Sequence, residues 1–193
     1  MKIGFAGTHS GGKTSQLEGL SRALKLPALS EVVRDVAAEW GITNVAQVPD
    51  RARFQWEVLH RQMAGENAAG GFVSDRTTVD NCAYFLRYVA PELPDAEVDE
   101  YIATAKRHAD TYDHIVFFPI MWDGCEDDGF RGTDPAEREQ IEWLIRQLLH
   151  DWGLWHKVKM VTTDDAVMGP GSRSEEIAGW FAGESAMLSS WVY

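Results

Sequence analysis

The sequence predicts an α/β fold in which a parallel sheet is covered by helices, and three observations support this prediction. Short apolar runs alternate along the chain with longer amphipathic segments. A glycine-rich turn joins the first apolar run to the first amphipathic segment. Later helical segments begin at clear capping residues. Since 193 residues is a usual size for one hydrophobic core, we expect a single domain over residues 1–193.

The apolar runs give the candidate strands, which span residues 2–6, 27–30, 71–74, 114–118 and 158–162. Helix signals lie between them. An Asp-Pro start predicts a helix over residues 134–149, and an Asp that follows a proline predicts helices over 50–63 and 95–109. The alternation of strands with helices is typical of parallel sheets.

Composition limits the possible functions. The formal charge of −12 comes from 30 acidic residues against 18 Lys and Arg, so nonspecific attraction to polyphosphates and anionic membranes is weak. Cys82 and Cys125 are too few for a disulfide scaffold and lack the spacing of a zinc site, which favours a reducing compartment. No apolar run approaches the ~20 residues of a membrane span. We therefore expect a cytoplasmic protein, or one of the host cytoplasm if it is viral, with no membrane partner.

The segment GTHSGGKT, at residues 7–14, matches the phosphate-binding pattern G-x-x-x-x-G-K-[ST]. It follows a candidate strand and precedes KTSQLEGLSRAL, in which the leucines share one helical face. Backbone N–H groups at such a helix start hold the phosphates of a nucleoside triphosphate. Lys13 would reach the outer phosphates, and the Thr14 hydroxyl would coordinate magnesium. The predicted nucleotide-binding residues are His9, Ser10, Gly11, Gly12, Lys13 and Thr14.

Two charged segments follow candidate strands, where the carboxyl ends of parallel strands face a ligand crevice. In SEVVRD, Glu31 could accept the proton of an acceptor hydroxyl, and Arg34 could hold an anionic part of the acceptor. In SDR, Asp75 is a candidate magnesium ligand, and Arg76 could bridge donor and acceptor phosphates. The structural alternatives are a solvated helix start and an ordinary strand-end ion pair.

Residues 120–133 are rich in Gly and Asp, and this composition predicts a mobile loop. An arginine in such a loop could close over the triphosphate, exclude water and stabilise the charge of the transferring phosphoryl group. Arg131 is the predicted lid arginine. Arg138 is the second candidate for the lid arginine. It ranks second because the capped helix that contains it would hold it outside the lid. A solvated acidic loop is the structural alternative.

The predicted acceptor site lies at the helix that begins near Asp50, in DRARFQWEVLHRQ. An arginine holds phosphate, a glutamine pairs with a base edge and an aromatic ring stacks on it, so the candidates are Arg53, Gln55 and Trp56. We expect Phe54 and Val58 to belong to the core. A nucleoside-type hydroxyl is favoured, in a small molecule or in a modified base of DNA.

GTHSGGKT, the Glu31-to-Arg34 spacing, SDR and the lid's DGFR together resemble the P-loop nucleoside and nucleotide kinases. The chain looks most like small bacterial and viral members near the ribosylnicotinamide kinase type, a branch with phage kinases that phosphorylate 5-hydroxymethyluracil in DNA. The resemblance implies a three-layer fold with a five-stranded parallel sheet in the order 2-3-1-4-5 and a lid over residues 120–134. It also implies ATP with Mg²⁺ and transfer of the γ-phosphate to a hydroxyl or a phosphate.

Two departures narrow this resemblance. The segment after the second strand reads EVVRD and lacks the prolines and glycines of a thymidylate kinase. A regulatory ATPase of the AAA type would end its third strand in Asp-Glu, whereas this chain has Asp75-Arg76. The alternatives kept are a small-molecule (deoxy)nucleoside or nucleoside monophosphate kinase and, from another class, a nucleotide-dependent switch or regulatory ATPase. The oligomeric state stays open, with a homodimer among the alternatives.

Overall fold

The computed structural model describes residues 1–121, 129–130, 134–169 and 171–189, with side chains described as far as residue 182. The strands are β1 (Lys2–Ala6), β2 (Ala28–Leu29), β3 (Phe72–Ser74), β4 (His114–Phe117) and β5 (Val158–Met160). The helices are α1 (Lys13–Leu24), α2 (Val32–Glu39), α3 (Arg51–Ala69), α4 (Thr78–Tyr88), α5 (Asp95–Ala109), α6 (Pro135–Asp151), α7 (Asp165–Met168) and α8 (Ser172–Ser189). Short 3₁₀ turns lie at Val45–Gln47, Ala90–Glu92 and Trp155–Lys157.

The strands form one parallel sheet in the order β2-β3-β1-β4-β5, which confirms the predicted topology. β1 is central because Gly4 pairs with Ser74 of β3 on one side and with Ile115 of β4 on the other. Parallel strands end at the same edge of a sheet. The segments that follow β1, β2 and β3 therefore meet at one edge, and these segments contain the predicted phosphate loop, Glu31 and Asp75-Arg76.

Helices cover both faces of the sheet. On one face the leucines of α1 pack with Ile177 and Phe181 of α8 against Phe5 and Val116. On the other face a larger buried cluster joins side chains of α3, α4, α5 and α6 to the sheet. The three-layer arrangement follows from burying each apolar helix stripe on a sheet that is apolar on both sides.

The element bounds agree with the sequence where local signals are strong. α1 covers KTSQLEGLSRAL, as predicted, and α5 has the predicted bounds. α3 is longer than predicted because it continues through Gly65 in helical conformation and ends only at Gly70, whose φ is 71°. None of the helices in the described part of the chain is both long and apolar enough to cross a membrane.

Candidate active site

The predicted phosphate loop joins β1 to α1 and requires glycine at both of its turns. Gly7 has a φ of 137°, and a Cβ at this position would lie 2.4 Å from the carbonyl oxygen of Phe118. Gly12 has a φ of 80° and precedes α1 directly. α1 has neither a side-chain cap nor an acidic residue in its first turn, so its initial N–H groups and the positive end of its dipole favour an anion.

Lys13 lies buried inside this loop. Its Nζ donates hydrogen bonds to the carbonyl oxygen of Gly7, at 2.9 Å, and to that of Thr8. Burial, together with the charge of Arg76, lowers the pKa of Lys13 to about 7. A bound polyphosphate would favour the charged lysine and raise this pKa, so the side chain is suited to an anionic ligand.

Thr14 and Asp75 form the part of the site that fits a magnesium ion. The Thr14 hydroxyl donates to Asp75 Oδ2 at 2.7 Å. Asp75 Oδ1 is buried and has no hydrogen-bond partner among the described residues. Burial raises the pKa of Asp75, although the Thr14 hydrogen bond and the Lys13 charge oppose this. An unsatisfied carboxylate oxygen beside a hydroxyl offers the oxygen ligands that Mg²⁺ prefers.

Arg76 connects the phosphate loop to Glu31. Its guanidinium is buried, with Nε donating to Glu31 Oε1 at 2.7 Å and Nη1 donating to the Gly7 carbonyl oxygen at 2.7 Å. Burial alone would lower the pKa of Arg76, but Glu31, Tyr84 and Asp80 outweigh it and raise the pKa. Asp80 also accepts the Gly7 N–H at 2.9 Å. These contacts hold a cation and a carboxylate side by side at the end of the loop.

A cavity of about 450 Å³ opens beside this group. Glu31, Arg76 and His9 line its end near the phosphate loop. The remaining lining residues come from the start of α2, from residues 44–48 and from α3, α4 and α6; they are Val32, Val33, Asn44, Val45, Ala46, Val48, Arg51, Phe54, Gln55, Val58, Gln62, Asn81, Tyr84, Arg87, Tyr88, Val89 and Glu137. The volume lies in the roughly 300–1,000 Å³ range of small-molecule sites.

A buried polar network forms the floor of the cavity. Gln62 donates through Nε2 to Glu66 Oε1, at 2.9 Å, and to the Arg76 carbonyl oxygen, at 2.8 Å. Its Oε1 accepts from Asn81 Nδ2 at 2.8 Å. Glu66 is held in turn by His108 Nε2, at 2.6 Å, and by the Tyr112 hydroxyl, at 3.1 Å. The amide of Gln62 is therefore fixed, and it orients Asn81 at the cavity wall.

The three residues predicted to bind the acceptor lie on different faces of α3. Gln55 lines the cavity, as do Arg51, Val58 and Gln62 at helical spacing from it. Arg53 and Trp56 do not line it. The Arg53 guanidinium lies 5.2 Å from the Trp40 ring centre, and the Trp56 ring packs 4.8 Å from that of Tyr101. One residue along a helix turns the side chain by about 100°, which places both residues off the cavity stripe.

Arg34 does not reach the cavity either. Its half-exposed side chain pairs with Glu31 at 3.8 Å and covers the Phe130 ring at 4.7 Å. Phe130, within the predicted lid segment, is attached to the cavity roof: Val45 N donates to its carbonyl oxygen at 3.1 Å. The predicted lid arginine, Arg131, lies outside the described residues. Arg138, the second candidate for the lid arginine, lies on α6, where its side chain is buried.

Sequence reasoning missed two contacts to the phosphate loop. His9, predicted as a nucleotide-binding residue, also lines the cavity, and its Nδ1 lies 3.2 Å from the Tyr84 hydroxyl. Arg173 of α8 donates to the Gly11 carbonyl oxygen at 3.2 Å. No local motif marks Arg173, because it meets the loop only through the packing of α8 on α1.

Residues 2–164 match the family AAA_28, which is described as an AAA domain. No curated protein matches the chain in sequence.

Solved structures with the same fold include NadR protein in complex with NR, at a TM-score of 0.74 and 17% identity over 95% of this chain and 51% of that one. NadR protein in complex with NAD and AMP-PNP has a TM-score of 0.68 and 15% identity over 95% of this chain and 49% of that one. Deoxyadenosine kinase from M. mycoides, with the products dCMP and dCDP bound, has a TM-score of 0.64 and 12% identity over 95% of this chain and 100% of that one. The chain spans about half the length of the NadR chains.

Proposed function

We propose that the phosphate loop of this chain, which belongs to the AAA_28 family of AAA domains, binds ATP with Mg²⁺ and that the protein transfers the γ-phosphate to a hydroxyl of a nucleoside-type acceptor. The observation that carries this proposal is the cavity lined by Glu31 and Arg76 beside the loop. A nucleotide hydrolase needs room for one water, whereas this cavity has the volume of a second organic ligand.

The residues between loop and cavity fit phosphoryl transfer. Glu31 is placed to accept the proton of the attacking hydroxyl, and Arg76 to stabilise charge between donor and acceptor. Lys13 would hold the outer phosphates once they draw its Nζ away from the loop carbonyls. Thr14 and Asp75 would hold Mg²⁺, which supplies neutralisation of the phosphate charge. Arg131 remains the proposed lid arginine.

The cavity walls favour a nucleoside over a purely anionic acceptor. Gln55 and Asn81 offer amide groups to a base edge, while Tyr84, Tyr88 and Phe54 provide flat apolar surface. The lining has three arginines, Arg51, Arg76 and Arg87, against two glutamates, Glu31 and Glu137, and Glu31 is paired with Arg76, so the amide and apolar groups, not the charges, favour a nucleoside. The folds shared with NadR bound to NR and with deoxyadenosine kinase support the same class of acceptor.

The proposal has three forms, which differ in the molecule that contains the acceptor hydroxyl. A free (deoxy)nucleoside fits the cavity directly. A nucleoside monophosphate would need a phosphate partner, and Arg51 is the cavity residue placed for it. The 5-hydroxymethyl group of 5-hydroxymethyluracil in DNA would require an extruded base and a strand held against the acidic surface.

A nucleotide-dependent switch or regulatory ATPase is the second candidate, and the AAA description of the family favours it. In that case ATP would be hydrolysed slowly and no acceptor would be phosphorylated. The residue after Asp75 weighs against it, because Arg76 occupies the position of the expected glutamate and binds Glu31.

The test is transfer of label from γ-labelled ATP with Mg²⁺ to a panel of nucleosides, nucleoside monophosphates and oligonucleotides that contain 5-hydroxymethyluracil. The proposal expects label in at least one acceptor, and the arm that gains label identifies its setting. Label in inorganic phosphate alone would reject the kinase and support the ATPase. Sedimentation of the same sample determines the oligomeric state, for which a homodimer is one of the alternatives.

A further inference from the structure

Arg173, the second residue of α8, is fixed by the segment that follows β5. Its backbone N–H donates to Asp165 Oδ1 at 2.8 Å, and its Nε donates to the Thr163 carbonyl oxygen at 3.2 Å. Glu176 accepts hydrogen bonds from the N–H groups of Thr162 and Thr163 at 3.1 Å or less, which ties the same segment to α8. The guanidinium therefore projects from a braced corner and has little freedom to swing.

The guanidinium meets the phosphate loop at the peptide between two glycines. Nη1 donates to the Gly11 carbonyl oxygen at 3.2 Å. A Cβ at Gly12 would lie 2.4 Å from the same nitrogen, so the approach itself depends on glycine. Nearby, the Ser174 hydroxyl donates to Gln16 Oε1 at 2.6 Å, which provides a second tie between α8 and α1.

A trans peptide directs its C=O and its N–H to opposite sides. Since Arg173 holds the Gly11 carbonyl, the Gly12 N–H points away from Arg173. A peptide flanked by glycines on both sides has an unusually low barrier to reorientation, because neither neighbour has a Cβ. If it turned over, a carbonyl dipole would replace an N–H donor at the start of α1, where an anion binds.

We propose that Arg173 is a positioning residue of the donor site, which holds the Gly11–Gly12 peptide with its N–H toward the bound phosphates. This inference rests on the proposed nucleotide site of the loop and extends it to a residue at the opposite end of the chain. This positioning role depends on the planar guanidinium of Arg173, because its Nε and Nη1 donate to two carbonyl oxygens, those of Thr163 and Gly11, at once. A lysine would keep the charge but not this bridge.

The test measures AMP-PNP binding by calorimetry in the full chain, without any transfer step. Arg173→Gln and Arg173→Lys should each weaken binding about tenfold, the usual effect of one charge-assisted hydrogen bond. Arg22→Gln, which removes an exposed charge from the last turn of α1, is the matched control and should bind as the wild type does.

A second readout separates positioning from general support of α8. In the wild type, the Gly12 amide resonance should move strongly when AMP-PNP binds, and in Arg173→Gln this movement should be lost. Wild-type affinity in Arg173→Gln, or full rescue by Arg173→Lys, would overturn the inference while leaving the proposed function intact. A wild-type chain that does not bind AMP-PNP would overturn both.

Discussion

At the scale of single residues, the proposed chemistry depends most on Glu31 and Lys13. The Glu31 carboxylate contacts Arg76 at 2.7 Å and lines the cavity, so it stands between the two proposed ligands. Lys13 donates hydrogen bonds to two carbonyl oxygens of its own loop, those of Gly7 and Thr8. Both residues were predicted from the sequence, because each belongs to a short motif whose position after a strand is visible in the chain.

Replacement of Glu31 by Gln keeps the shape and a hydrogen bond but removes the proton acceptor. We expect kcat to fall by about 100-fold or more with the KM for ATP unchanged, as is usual for loss of a general base. Initial rates at saturating acceptor measure this. Glu39→Gln provides the control, since Glu39 lies at the other end of α2 and pairs with Arg61 away from the cavity. Equal rates for the two variants would exclude Glu31 as the base.

Lys13 makes folding stability depend on pH. Its pKa is about 7 in the folded protein against an ordinary 10.5, so between these values the unfolded chain binds the extra proton and rising pH favours the folded state. Lys13→Met removes this dependence. In urea unfolding without nucleotide, wild type should gain about 2 kcal/mol relative to the variant between pH 7 and 9. A difference that stays constant over this range would show that the lysine is not desolvated.

At the scale of elements, the orientation of α3 explains which of the predicted acceptor-binding residues line the cavity: Gln55 does, whereas Arg53 and Trp56 do not. Its motif predicted that polar and aromatic residues meet a ligand there, but not which helical face they occupy. Gln55 lies on the stripe with Arg51 and Gln62, whereas Trp56 turns toward Tyr101 of α5. The phase of a helix is set by its neighbours, which the sequence of α3 does not contain. Asn81 and His108 escaped notice for the same reason.

The contact between α3 and α5 also includes a buried pair, Glu66 and His108. His108→Leu leaves a buried carboxylate without its main partner, and we expect a loss of about 3 kcal/mol in the free energy of unfolding. Because Glu66→Leu removes the same interaction, the double variant should lose at least about 1 kcal/mol less than the sum of the single losses. Urea unfolding of all four proteins measures this coupling.

His150→Leu is the control for that cycle, since the contact between His150 and Asp151 is exposed. It should change stability by about 0.5 kcal/mol or less. Strict additivity of the Glu66 and His108 losses would mean that the two side chains do not depend on each other, and that Gln62 is not oriented by the pair.

At the scale of the whole molecule, the order β2-β3-β1-β4-β5 brings distant segments to one edge of the sheet. The sequence supplied the parallel sheet through its alternation of strands and helices, and the resemblance to P-loop kinases supplied the order. Neither indicated that α8 would place Arg173 against the loop, because that contact joins residues 162 positions apart. Long-range packing therefore adds Arg173 to the proposed donor site, whose local parts can be predicted from the sequence.

The most direct measurement is a crystal structure with AMP-PNP, Mg²⁺ and the acceptor that gains label in the transfer panel. Our account predicts an acceptor hydroxyl about 3–3.5 Å from the γ-phosphorus, in contact with Glu31 and with its base between Gln55 and Asn81. An acceptor bound elsewhere, or a γ-phosphate that faces away from the Glu31–Arg76 pair, would contradict it.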